Sequence, residues 1–448
     1  MMNDSEAQSL LSSLLDNAKT AGADAADAVL YRAVSHGVSW RLGALEDVER
    51  SEGLDLGLRI IVGKKQASVS TTDISKSGLN DLVERCAAMA KAAPEDPYCG
   101  LAPKERLAAA PFPDLELGDF HEPDTEFLKA QAAACEETAL AVEGVVNSSG
   151  AGASYSEGAK WFATSDGFFG TSGGSNHSVS VSVLAGNDDG MERDYDYDSK
   201  THRDDMRSPE EIGTEAGQRA VSRLSPRKLK SQSSPILFDK RLSASLLGHL
   251  AGAVNGAGIA RGVSFLKDKM GAQIFPENID IIDDPFMKRG AGSRPFDGEG
   301  VKAEKIKLID AGKLTTWLLN TPQAKQLGLE TNGRATRGVA GGPGSGATNL
   351  YMPAGSISVA TMLNEIGEGL LLTEMFGPQV NPNTGDYSVG CSGSWIEGGA
   401  VAYPVSEITI AGNVLAMFKN IRAADDLEFR GAKNAPSLLI DEMTIAGD

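Results

Sequence analysis

Residues 241–262 read RLSASLLGHLAGAVNGAGIARG. Leu242, Leu246, Leu250 and Val254 recur every four positions, with Leu247 beside them, which is the apolar stripe of an amphipathic helix. The SPILFDK that precedes it reads as a buried strand. Asp239 or Ser243 supplies the first cap, and Gly256 and Gly258 end the helix. Ala244, Gly248, Gly252 and Gly256 make a second row, of small residues. Such a row lowers helix propensity and lets another backbone come close, so it predicts a neighbour pressed against that face.

His249 is the only titratable side chain between Arg241 and Arg261. A helical zinc site needs a second ligand one turn away and a carboxylate base between the two. Four and five residues on stand Ala253 and Val254, and the next residue is Leu250. This helix therefore cannot hold a metal alone. His249 reads as a structural or interface histidine, with ligand contact as the other reading.

Working outward, 448 residues suggest two or three domains. A formal charge of −19 repels nucleic acid and anionic membrane, so neither is an expected partner. Cys86, Cys99, Cys135 and Cys391 show no CxxC spacing, as in a reducing compartment. The segment MMNDSEAQSL has no basic n-region, and no apolar run reaches membrane-spanning length, so a cytoplasmic location is expected.

Toward the N-terminus, residues 5–21 predict an amphipathic helix. ADAVLYRAV and GVSWRL alternate as two strands about a hairpin turn at His36-Gly37. LDLGLRIIV and ASVSTTD are two more, before a helix over 77–92. CGLAPKERLAAAPFPDLEL is a connector. Asp124 caps the next helix, followed by an antiparallel meander of VVNSSGAGASYSE, AKWFATSDGFFG, HSVSVSVLAGN and MERDYDYDSKTH. Ser208-Pro209-Glu210-Glu211 is a capping box with Pro at the first helical position. The basic, Pro-bounded 225–235 marks a boundary.

Beyond the opening helix come more strands, including a pair around Asp310-Ala311-Gly312, and a glycine loop at 338–348. The expected fold is α+β: a mixed α/β N-terminal part with antiparallel sheets, then a β-rich, barrel-like C-terminal domain. The expected units are 1–115, 116–230 and 231–448.

Few features suggest chemistry. Asp194, Asp196 and Asp198 share one strand face, but the glycine and terminal Glu of a calcium loop are missing, so they read as a solvated face. GGPGSG lacks the Lys-Ser/Thr of a phosphate loop and reads as a mobile connection or lid. Thr384-Gly385-Asp386-Tyr387-Ser388 is a compact polar turn that can line a site. Cys391 has no nearby His, and there is no G-x-S-x-G elbow.

FDGEGVKAEKIKLIDAGKLTTWLLNTPQAKQLGL, TGDYSVGCSGSWIEGGAVAYPVSEITIAGN and the closing MTIAGD resemble the PmbA/TldE branch of the TldD/PmbA peptidase family, over almost the whole chain. The resemblance implies a two-component cytoplasmic metallopeptidase acting on unfolded peptides. Its TldD-type subunit carries a helical HExxxH zinc motif and a further cysteine ligand. The corresponding helix here is the opening stretch, which has no HExxxH, and residues 426–441, DLEFRGAKNAPSLLID, have no cysteine.

No metal ligand or catalytic residue therefore transfers. The expected role is a non-catalytic subunit, with zinc in its TldD-type paralogous partner and none in this chain. His249, Gly248, Gly252, Asp386 and Tyr387 are the candidates for peptide or partner contact. The family is linked to peptide-antibiotic maturation, antitoxin turnover and modulation of DNA gyrase. The alternatives are an independent peptidase or hydrolase acting as a homodimer, and a regulatory binding protein without proteolysis.

Overall fold

The computed structural model describes residues 2–188, 190–377 and 379–448. A six-stranded antiparallel sheet dominates the first half. Its strands are β1 (Ala25–Arg41), β2 (Ala44–Val62), β3 (Lys65–Thr71), β4 (Val145–Thr164), β5 (Phe169–Asn187) and β6 (Gly190–Lys200), in the order β3-β2-β1-β4-β5-β6. One face is covered by α1 (Asp4–Thr20), α2 (Lys76–Ala92), α3 (Thr125–Leu140) and α4 (Pro209–Ser222). Leu11, Leu14, Leu82 and Cys86 meet Ala28, Leu30, Leu58 and Trp161 in one core. Leu128, Ala132, Cys135, Ile212 and Ala216 meet Val179, Val181 and Val183 in the next.

These helices begin where the local signals place them. Asn3 and Glu6 form a capping box on α1, Ser208 and Glu211 do so on α4, and Asp124 caps α3. Each cap satisfies amides that the first helical turn leaves without partners.

Two expected strand divisions are absent. His36-Gly37 is no turn: β1 runs straight through it, paired with β2 on one side and β4 on the other. The hairpin turns instead at Leu42-Gly43, both with positive φ (49° and 76°). Partners on both sides hold the backbone extended through a residue pair that would suit a turn in isolation. His36 is buried, with Nε2 3.1 Å from the Thr125 hydroxyl. Likewise, VVNSSGAGASYSE and AKWFAT form one 20-residue strand, β4, with register shifts near Asn147 and Gly150.

The second half is β-rich. β7 (Gln232–Phe238), Gly369–Phe376, Asp386–Glu397, Ala400–Asn413 and Leu438–Ala446 pair in sequence, and the last closes back on β7. This is a closed five-stranded barrel, as the strand-rich sequence predicts. α5 (Lys240–Ala253) follows β7 and contributes Leu246, Leu247 and Leu250 to the barrel's core. A second sheet includes the hairpin Ile306–Asp310 and Lys313–Leu314, turned at Ala311-Gly312.

The uncovered face of the first sheet meets this second half. Asp27 of β1 lies between Arg59 of β2 (2.5 Å) and Arg337 (2.9 Å), all three buried. A Cβ at Gly57 would collide with the Val339 carbonyl, so the glycine loop packs onto β2 there. Further along, Asn320 donates to the carbonyls of Pro343 and Gly344, and Asn255 to that of Ser345. The loop is thus tethered at both ends, with Gly338 and Ala340–Gly342 exposed between the tethers. Limited proteolysis should cut first within 338–342, as read by mass spectrometry of the early fragments. First cuts inside α5 would contradict the arrangement.

Asp194, Asp196 and Asp198 are not a solvated face. They are 3, 1 and 4% exposed, while Tyr195 and Tyr197 face outward. Alternation identifies which residues share a face but not which face is covered. Here α4 covers the carboxylates, and the helix and its flanking residues bring arginines. Arg207 and Arg219 pair with Asp196 at 2.7 and 3.0 Å, and Arg223 with Asp194 at 3.3 Å. Because β6 is the outer strand, Arg241 and Arg430 reach the same row from the second half.

Candidate functional site

α5 starts at Asp239, whose carboxylate accepts the Arg241 amide at 2.8 Å. It ends at Ala253, earlier than the glycines suggest, because Asn255 caps a new short helix, α6 (Gly256–Ala260). The small row divides accordingly. A Cβ at Gly256 would meet the Leu318 carbonyl at 2.8 Å and Leu319 at 2.9 Å, as expected of a close approach. Nothing described lies within 4 Å of a Cβ at Gly248 or Gly252, so at these two positions α5 is open among the described residues.

His249 is half-buried on α5. Its Nε2 lies 2.7 Å from the Gln379 side-chain oxygen, and its ring meets that of Tyr387 edge-on at 6.0 Å. Burial lowers its pKa, opposed by the bond to Gln379, so the imidazole is neutral near pH 7. Tyr387 is buried, with its hydroxyl 3.2 Å from the Met375 sulfur, and burial raises its pKa. Four residues on, burial pushes the Cys391 thiol up to about 12. Asp386, by contrast, is exposed: it accepts from the Thr384 hydroxyl at 2.7 Å and the Asn413 amide at 3.3 Å, which fix the turn. The structure therefore brings His249 and Tyr387 together and leaves Asp386 beside them, bound within its own loop.

These groups do not make a zinc site. Three protein ligands are the minimum for a catalytic zinc, and His249 has an amide and a phenol for neighbours. Among the described residues, no three His, Cys, Asp or Glu side chains converge as a metal-binding group. In the 426–441 region Glu428 is committed to Lys240 at 2.8 Å and Arg430 at 2.9 Å. Burial would raise its pKa, but these two cations hold it down to about 2. Dialysed chain should hold well under one equivalent of zinc by elemental analysis. Stoichiometric zinc that is lost in His249→Ala would contradict this geometry.

Sequence reasoning missed the buried Asp27–Arg59–Arg337 group and the half-buried cations Lys160 and Arg294. Their partners are distant in the chain, and no local pattern marks them.

The chain thus joins an α+β architecture with a closed barrel to a helix at that barrel that carries no ligand set. Models of the PmbA/TldA metallopeptidase match in three parts: domain 1 over residues 26–90, the central domain over 118–224 and the C-terminal domain over 231–447. The metalloprotease PmbA of Escherichia coli O157:H7 is 37% identical over 426 residues, 95% of this chain and 92% of that protein. A metalloprotease PmbA homologue of Haemophilus influenzae is 36% identical over 448 residues, 99% and 96% of the two chains. A Bacteroides thetaiotaomicron structure, described as a candidate modulator of DNA gyrase, superposes with a TM-score of 0.90 at 25% identity over 100% of both chains. TldE of Thermococcus kodakarensis shares the fold, with a TM-score of 0.86 at 22% identity over 98% of this chain and 100% of that one. The chain belongs to the PmbA/TldD metallopeptidase family, on its PmbA/TldE side.

Proposed function

We propose that this chain is the metal-free, non-catalytic subunit of a heteromeric cytoplasmic metallopeptidase that acts on unfolded peptides and small proteins. A TldD-type paralogous subunit supplies the zinc. The observation that carries the reading is α5. Where the TldD-type helix is expected to present HExxxH, this one presents a single neutral His249 against Gln379. The open faces of Gly248 and Gly252 on the same helix suit a contact made by another chain. Cys86, Cys99, Cys135 and Cys391 are free thiols, in keeping with a reducing compartment. Among the described residues, no helix is long and apolar enough to cross a membrane.

The test is purification of the chain alone and with a TldD-type subunit, followed by an assay on an unstructured peptide. The expected result is no cleavage by the chain alone, co-elution of the two, and more cleavage by the mixture than by the TldD-type subunit. A TldD-type subunit that is fully active alone and never co-elutes would overturn the reading. The description of the Bacteroides relative favours a second reading, a regulatory binding protein without proteolysis. That reading predicts binding to a partner with no effect on peptide cleavage.

A further inference from the structure

β5 has an open edge. β6 pairs with it only from His177 to Asn187, so Phe169–Gly174 has β4 on one side and no described strand on the other. The Ser175 amide donates to the Leu117 carbonyl at 3.0 Å, where the connector crosses that edge. Successive residues of a strand turn their N–H and C=O to opposite sides. Those of Thr171 and Gly173 therefore point the same way as Ser175's and meet no strand. Two adjoining hollows of about 490 and 420 Å3 flank this edge and share Leu117, Gly158, Lys160, Ser172 and Gly173.

The charges around the hollows are unevenly matched. Every lining carboxylate has a donor. Asp4 accepts the Trp161 indole N–H at 2.8 Å. Glu157 accepts from Arg32 and from the Tyr155 hydroxyl, both at 2.8 Å. Glu116 binds Lys288 and Arg289, and Asp114 accepts the Glu116 amide at 3.0 Å. Two lining cations have no such counterpart. Lys160 Nζ donates to the Arg337 carbonyl at 2.8 Å, and Arg294 Nη2 to the Gly346 carbonyl at 3.4 Å. Neither forms an ion pair with a described carboxylate, and Arg294 Nε is buried without any partner. A cation withdrawn from water is costly unless an opposite charge is supplied. Asp297 attracts both cations through space, with Asp27 acting on Lys160 and Asp283 on Arg294, but no described carboxylate pairs with either directly. The hollow therefore leaves two cations for an incoming anion, and beside it lies a strand edge with no described strand partner, which an extended main chain can join.

We propose that this cleft binds the carboxyl-terminal end of an extended peptide, with Lys160 and Arg294 taking the terminal carboxylate and the β5 edge at Thr171 and Gly173 taking the main chain. The inference rests on the peptide-handling reading above and adds a recognition element to it.

Proton linkage follows. Burial, then the charges of Arg337 and Arg294, push Lys160 down to about 8, against the opposing pull of Asp297 and Asp27. A bound carboxylate favours the protonated amine. Binding should therefore take up protons near pH 8, and affinity should fall as pH rises through that value.

The experiment uses the full purified chain and one labelled, unstructured decapeptide, prepared as the free acid and as the carboxyl-terminal amide. Fluorescence anisotropy should show the acid binding about tenfold or more tightly than the amide near pH 7, since a hydrogen bond to a charged group typically contributes at least that. The gap should narrow at about pH 9.5. Lys160→Met and Arg294→Gln should each bring the acid down toward the amide's affinity, with thermal melts confirming that the variants fold. If a variant does not fold, the acid–amide comparison on the native chain decides alone. Equal affinities, or no binding of the acid at millimolar concentration, overturn the inference. Inorganic phosphate is the control competitor. Phosphate that binds as tightly as the acid peptide assigns the cations to a free oxyanion and also overturns it. All these readouts come from the lone chain, whereas the subunit reading stands or falls on co-elution and cleavage.

Discussion

Asp27→Ala should destabilise the folded chain by about 3–5 kcal/mol, the usual effect of removing one partner from a buried ion pair. Asp27 is 1% exposed and holds two guanidiniums, those of Arg59 and Arg337, which are themselves buried. Removing the carboxylate leaves both cations in a low-dielectric interior without their counter-charge. The effect should reach the junction of the two halves, because Arg337 comes from the second half and also donates to the Gly338 carbonyl at the start of the glycine loop. Proteolysis at 338–342 should therefore quicken in the variant before global unfolding does.

The pH dependence of the same site has a definite sign. Burial acts to raise the Asp27 pKa, but Arg59 and Arg337 outweigh it and hold the carboxyl below its usual value. A depressed carboxyl pKa contributes stability above its unfolded value of about 3.9, and that contribution is lost as pH falls through the folded value. Denaturant titrations should thus show a constant deficit for Asp27→Ala between about pH 5 and 8. Below about pH 4 the deficit should shrink, as the native chain loses the same contribution. A deficit under about 1 kcal/mol at pH 7, typical of a solvent-exposed pair, would mean that the group is not buried as described.

That site was invisible in the sequence for a simple reason. Asp27 and Arg337 are 310 residues apart, and neither belongs to a motif. What sequence reading recovers here is local. The caps at Asp124 and Ser208, the turn at Ala311-Gly312, the strand-rich second half and the isolation of His249 each depend on a few neighbouring residues. What it misreads depends on neighbours in space. His36-Gly37 looks like a turn until β2 and β4 are placed on either side of it. The DYDYD run looks as if its tyrosines face inward, until α4 and the residues flanking it bring Arg207, Arg219 and Arg223 over the aspartates. The row of small residues on α5 was legible as a row. Only the structure separates Gly256, which is packed, from Gly248 and Gly252, which are open.

That separation gives a paired test of assembly. Gly256→Leu should weaken the fold of the lone chain by about 1–3 kcal/mol or more, the range for overpacking. Its side chain would enter space held by Gln323, the Leu318 carbonyl and Leu319. Gly252→Leu should not, because nothing lies within 4 Å of the new Cβ. In the last turn of α5 the change should if anything stabilise the helix, by less than the roughly 1 kcal/mol of an interior position, since glycine is a poor helix former. If the open face of α5 receives a TldD-type subunit, Gly252→Leu will fill that contact and should cut co-elution and stimulated cleavage while the melting temperature of the lone chain holds or rises. A defect confined to the mixture, in a variant at least as stable as the native chain, assigns the face to a partner. Unimpaired co-elution of Gly252→Leu would remove α5 from the subunit interface. A destabilised lone chain would instead show that something within the chain already presses on Gly252, contrary to the open space around its Cβ among the described residues.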